Sequence, residues 1–233
     1  MKKMMFLAVA AVCLASCTFV KASDNDSESF IKSTRVRGSG KITTEKYTVA
    51  DFDKVSVSIS ADVKYIVTDG EPYVIVTADD NAQEYLKFES SGKNLRIKPN
   101  RNNVNFVNCD IDIVVASSNL REISIAGSSD FEVASPLKTD DFKCSIAGSG
   151  DVDIDGLEAS FISFEIAGSG DIDASGINCK ELDCSIAGSG DIELGGYAEL
   201  ARYSIAGSGD IDATDFKSDH AKTSIAGSGT VRN

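Results

Sequence analysis

Tryptophan is absent from the 233 residues, and histidine occurs once, at His220. A single histidine removes the commonest general base and most ways of assembling a zinc site. Positive charge is scarce: 23 Lys plus Arg stand against 36 Asp plus Glu, a net charge of -13. Phosphate backbones repel a surface of that sign, so nucleic acid is not an expected partner; cations, basic proteins or neutral glycans fit better. The uncharged run from Met4 to Val20 is too short for a confident membrane span. What is present, 42% apolar and 25% charged residues, suffices for a buried core and one folded domain.

Lys2 and Lys3 before that uncharged run give the basic and apolar regions of a secretory signal. Leu14-Ala15-Ser16-Cys17 resembles a bacterial lipobox, in which cleavage before Cys17 frees a thiol for lipid attachment. Residues 1–16 are then a lipoprotein signal peptide and 17–37 a flexible tether. The chain is expected in the cell envelope, lipid-anchored to the outer membrane on its periplasmic or surface side. Cleavage after Ala22 is the competing reading and would release a soluble protein.

The strongest signal is a repeat. Ile-Ala-Gly-Ser begins at Ile125, Ile146, Ile166, Ile186, Ile205 and Ile225, a period of about twenty residues. Leucine-rich repeats need several Leu and an Asn ladder, and Gly-Ser-Gly breaks helices. A β-solenoid remains, and apolar columns support it. Ile123, Cys144, Phe164, Cys184, Tyr203 and Thr223 precede the repeat Ile by two, and Phe131, Val152, Ile172, Ile192, Ile211 and Val231 follow it by six. Period-two alternation puts both columns on the interior face. A third interior column is expected at Leu137, Leu157, Ile177, Tyr197 and Phe216, behind corner glycines Gly156, Gly176 and Gly196. One such coil cannot stand alone: ordering each residue costs roughly 1–2 kcal/mol, and each buried apolar side chain returns only about 1.5–3 kcal/mol. Stacking is therefore obligatory. The fold class is all-β, a right-handed parallel β-helix or β-solenoid of ~20-residue coils with a less regular β-rich N-terminal portion.

That portion, residues 38–119, carries strand patterns at Val55–Ile59, Tyr73–Thr77, Leu95–Ile97 and Ile111–Val115, with turns at Asp69-Gly70 and Ser91-Gly92. It reads as degenerate coils or as a capping sheet over the regular array of residues 120–233. A short turn is the one helical feature expected, near Asp80 to Tyr85.

The Gly-Ser-Gly start at Gly38, Phe52-Asp-Lys-Val55, Asp69-Gly70 and the serial Gly-Ser-Gly-Asp words after Leu120 resemble the putative auto-transporter adhesin, head GIN domain family. The resemblance covers residues 38–233 as one domain. It implies a parallel β-helix shaped like pectin lyases without their catalytic residues, and a role in adhesion. It brings no functional residues.

After each bend the chain reads acid, apolar, acid: Asp130 and Glu132, Asp151 and Asp153, Asp171 and Asp173, Asp191 and Glu193, Asp210 and Asp212. Both acids point outward, about 4.8 Å apart between coils. The favoured reading is a solvated face that deters aggregation. The sharper one is calcium held by Asp151, Asp153, Asp171, Asp173, Asp191, Glu193, Asp210 and Asp212, although calcium takes six to eight oxygens and flat strands converge poorly. No other cofactor is expected. A pectin-lyase-like glycan enzyme is disfavoured, because acid and base need different environments and coils this short build no walls for a cleft.

Cys144 and Cys184 share an interior column two coils apart with Phe164 between them, beyond disulfide reach, and buried free thiols are the expected state of the four cysteines after Cys17. The final coil shows no evident cap, so a homo-oligomer through that edge or a flat face is also expected. The favoured function is a non-catalytic adhesion or binding module for an unknown surface glycan or protein; a purely structural envelope protein is the rival.

Overall fold

The structure is a computed structural model and describes residues 33–233. The expected signal peptide, the lipid-attachment residue Cys17 and most of the tether lie outside the described residues. Tether and fold meet earlier than expected, because β1 (Thr34–Arg37) already pairs in parallel with β8 (Val104–Val107) and buries Val36. The alternation Thr-Val within Thr34–Arg37 supplies that one inward side chain.

Past β2 (Ile42–Thr48), the chain forms β3 (Lys54–Val57), β4 (Asp62–Val67) and β5 (Tyr73–Asp79), then a single helical turn α1 (Asp80–Gln83). β6 (Leu86–Ser91), β7 (Asn94–Pro99) and β9 (Ile111–Ser117) complete the N-terminal portion. Its coils stack out of chain order. β3 lies between β7 and β10 (Glu122–Gly127), and β4 lies between β9 and β11 (Asp130–Val133), all in parallel. The coil built from β7 and β9 is therefore outermost, and the chain passes over the β3–β4 coil to reach β10. Arg121 marks the crossing by donating its N–H to the Asp53 carbonyl at 2.7 Å. Antiparallel strands then close the end: β5 on β9, β2 on β5 and β6 on β7. Degenerate coils and capping sheet are thus both present. The strand patterns in the sequence specify each element but not the order of stacking.

From β10 onward the chain repeats: β12 (Leu137–Lys138), β13 (Asp141–Gly148), β14 (Val152–Gly168), β15 (Ile172–Gly188), β16 (Ile192–Gly207), β17 (Ile211–Gly227) and β18 (Val231–Arg232). The repeat isoleucines stand in register from Ile125 to Ile225. The first five are almost completely buried, whereas Ile225, in the last coil, is 43% exposed. In that coil the inward column has changed to Thr223, and Lys217, Asp219 and Lys222 put charge on the free edge, which blunts it against further strand pairing.

The Gly-Ser-Gly word follows from the stacking. Gly168 has φ +144°, and a Cβ on it would collide with the Gly148 carbonyl. Gly170 would collide likewise with the Gly150 carbonyl. Between them the Ser169 N–H donates to Gly148 at 2.8 Å, so the ladder continues round the bend.

One column departs from expectation. Ile177 is in register with Gly196, not Tyr197, and Phe216 follows Gly196. Tyr197 faces outward, where its hydroxyl donates to Asp219 at 2.9 Å. The coil between Ile186 and Ile205 is one residue shorter, and the register shift is absorbed at this corner.

Candidate functional site

The pairing creates two acidic columns on the face formed by β4, β9, β11 and the first segments of β14 to β17. In the first column Asp62 stands between Asp112 and Asp130, followed by Asp151, Asp171, Asp191 and Asp210. These carboxylates are not merely solvated. Asp151 accepts the backbone N–H of Asp171 at 3.1 Å, Asp171 that of Asp191 at 2.8 Å, and Asp191 that of Asp210 at 2.7 Å. Asp210 accepts both the N–H and the hydroxyl of Thr230 at 2.8 Å. These bonds hold the Asp210 carboxyl below the usual carboxylate range.

The second column runs Lys64, Glu132, Asp153, Asp173, Glu193, Asp212, Arg232. Cations close both ends: Lys64 pairs with Glu132 at 2.7 Å and Arg232 with Asp212 at 3.1 Å. Partial burial, then repulsion from Asp173, Asp151, Glu132 and Asp130, raises the Asp153 carboxyl. A shallow groove of about 450 Å³ follows this column past Pro136 and Ser175.

Of the eight calcium candidates, Asp151, Asp171, Asp191 and Asp210 each direct one oxygen at the next coil's backbone, and Asp153, Asp173, Glu193 and Asp212 form the neighbouring row. Among the described residues no three His, Cys, Asp or Glu side chains are placed to hold one metal ion. The ladder has a signal in the sequence beyond the outward alternation of the acids. The first acid of the five pairs is always Asp, whereas the second varies between Asp and Glu. A bond to the adjacent coil fixes side-chain length, and exposure alone does not.

The opposite chemistry occupies the face formed by β3, β10, β13 and the last segments of β14 to β17. Charges there are mixed and largely paired: Lys54 with Glu122 at 2.6 Å, Lys143 with Glu165 at 2.7 Å, and Arg202 with Glu181. A groove of about 550 Å³ opens around Phe161 and Ser163. Burial raises the Asp183 carboxyl at its border. The thiols are held protonated: Cys144, Cys179 and Cys184 are buried and free, burial pushes the Cys179 thiol up to about 12 and raises those of Cys144 and Cys184 too, and the Cys109 thiol, expected buried but only half so, is raised by the same cause.

The sequence model of a family described as "Putative auto-transporter adhesin, head GIN domain" matches residues 51–177 and 162–232. The chain belongs to this family. Among solved structures, this head GIN chain is similar to a "putative lipid binding protein" from Parabacteroides distasonis, 30% identical, with TM-score 0.77 over 85% of this chain and 99% of that one. A putative adhesin from Parabacteroides merdae (23% identity, TM-score 0.72, 86% and 99% covered) shares the fold. So does one from Bacteroides fragilis (23%, 0.70, 85% and 99%). No curated protein matches this chain.

Proposed function

We propose that this head GIN chain is a non-catalytic binding module of the adhesin type, exported and held in the cell envelope by lipid on Cys17. The observation that carries the reading is the register that the repeat and acidic columns keep over successive coils, shifting only at the corner near Gly196, which offers similar groups at one-coil spacing to an extended or repetitive partner. Repetition raises avidity without any deep pocket. The Asp ladder supports the non-catalytic part, since its members share one environment and are engaged with backbone N–H groups, whereas an acid and base pair needs two contrasting environments. The name of the Parabacteroides distasonis relative carries less weight here, because the interior columns of the described residues form one cluster of buried Ile, Phe, Leu and Cys side chains.

Two measurements test this. Labelled palmitate should enter the wild-type chain and be absent from Cys17→Ala. Beads coated with the full chain should adhere to glycan- or protein-bearing surfaces; beads that adhere nowhere, with the chain folded, defeat the reading.

A further inference from the structure

The outward rows beside the repeat isoleucines hold one position unlike its neighbours. Ser163 occupies a row that elsewhere carries Lys54, Glu122, Lys143, Asp183 and Arg202. The small side chain leaves a depression among long ones, and this is the floor of the 550 Å³ groove. That size lies within the roughly 300–1,000 Å³ typical of small-ligand sites. Two residues before it stands Phe161, partly exposed on an outward face.

Register fixes what surrounds these two. Asp141 and Glu181 flank Phe161 from the preceding and following coils, Glu181 being paired with Arg202, while Lys143 and Asp183 flank Ser163 from either side. Lys143 is neutralised by Glu165, and Lys54 by Glu122. Asp141 and Asp183 have no ion-pair or side-chain hydrogen-bond partner among the described residues. The groove therefore combines an aromatic plate, two carboxylate acceptors at its borders and an ammonium donor.

We infer that the Phe161–Ser163 groove is a subsite for an uncharged pyranose ring, stacked on Phe161 with its hydroxyls bonded to Asp141, Asp183 and Lys143. The C–H face of a pyranose is apolar and suits an aromatic plate, and its rim of hydroxyls suits acceptors spaced one coil apart. The two unneutralised carboxylates act against uronic or sialic acids. Among the described residues the two acidic columns of the other face contain no aromatic side chain. This inference rests on the binding-module reading and adds to it the ligand class and the place of attachment.

The test is an array of neutral, uronic and sialylated oligosaccharides probed with the full chain, followed by titration calorimetry with the strongest neutral binder. Phe161→Ala should weaken binding roughly tenfold or more, since burying a Phe ring contributes about 1.5–3 kcal/mol. Asp183→Asn and Asp141→Asn should each weaken it severalfold. Asp141 is exposed, and Asp183 is half-buried with its carboxyl raised by burial, so neither variant should lower the melting temperature even if Phe161→Ala does. Neutral binding that survives all three substitutions, or binding confined to anionic sugars, overturns the inference. An array with no binder, while coated beads still adhere to protein surfaces, also overturns it and leaves the binding module standing. Beads that adhere to nothing overturn both.

Discussion

The N-terminal coils and the repeated coils reach the same parallel stacking by different means. From β10 onward, register is set by repetition: glycines admit the neighbouring carbonyl, and from Asp151 to Asp210 the first Asp of each coil bonds the coil that follows. In the β3–β4 and β7–β9 coils the order is exchanged, the bends lack Gly-Ser-Gly, and individual large side chains fix the register. Tyr65 is one, wholly buried, with its hydroxyl donating to the Ser117 carbonyl at 3.2 Å. A repeated device tolerates copying but not a Cβ in the wrong place. A unique device tolerates variation at the bend but depends on single contacts.

The sharpest break of this contrast is at two glycines with the same backbone. Gly127 has φ +132° and Gly168 φ +144°. Beneath Gly127 lies the irregular coil, and its added Cβ would find only the Ile59 carbonyl at 3.8 Å, whereas at Gly168 it would collide with Gly148. Gly127→Ala should cost only backbone strain, about 1–3 kcal/mol. Gly168→Ala adds forced separation of two coils, a further ~1–3 kcal/mol of overpacking. Urea denaturation of the two variants checks this; equal losses would mean that the bends are equivalent.

Tyr65→Phe examines the other half of the contrast. It keeps the ring and removes the hydroxyl's buried contacts with the Ser117 carbonyl and with Ser117 Oγ at 3.1 Å, so a loss of about 1–2 kcal/mol is expected, near the usual net value of one or two hydrogen bonds. Hydrogen exchange should localise the loosening to residues 111–119 and leave the repeated coils protected.

A smaller effect is expected in the Asp ladder. Asp171→Ala removes the acceptor of the Asp191 N–H and should cost about 0.5–1.5 kcal/mol. Asp171→Asn keeps a carbonyl acceptor and should cost little. Asp62 stands in the same column but makes no such side-chain bond among the described residues, so Asp62→Ala should be nearly neutral by thermal melting. Loss of stability in Asp171→Asn would assign the ladder to charge instead of hydrogen bonding.

The repeated half was the more legible in the sequence, because identical words at a fixed period determine which side chains stack. Its one misplaced residue, Tyr197, lies where the period shortens and a count of positions cannot say which corner absorbs the change. The exchanged order of the N-terminal coils was not legible at all. Alternating Val and Ile define an inward face, but any parallel neighbour with a similar face satisfies it. The Phe161 groove was hidden for a related reason: Asp141, Phe161, Glu181, Leu200 and His220 read along the chain as an irregular outward set. Only stacking shows that the unusual feature is the small Ser163 in the adjoining row.

The smallest effect concerns the second acidic column, where repetition works against stability. Partial burial and neighbouring carboxylates raise the Asp153 carboxyl above its unfolded value. Its proton is then held more tightly in the folded state, so ionisation weakens the fold. That penalty is absent below the unfolded value of about 3.9 and complete above the raised one. Asp153→Asn should therefore raise the melting temperature at pH 7, by an amount within the ~1 kcal/mol range of exposed charge interactions, and the gain should vanish as the pH falls below about 4. Asp210 should do the opposite. Thr230 holds its carboxyl low, so its ionised form contributes stability above the unfolded value, and that contribution is lost as the pH falls through the lowered one. Asp210→Asn, which unlike Asp171→Asn also loses an ion pair with Arg232, should thus lower the melting temperature at pH 7 and converge on wild type in acid. Asp153 and Asp210, in different coils of one array, would then carry opposite pH dependence, the first set by partial burial and then repulsion, the second by bonding along the coil stack.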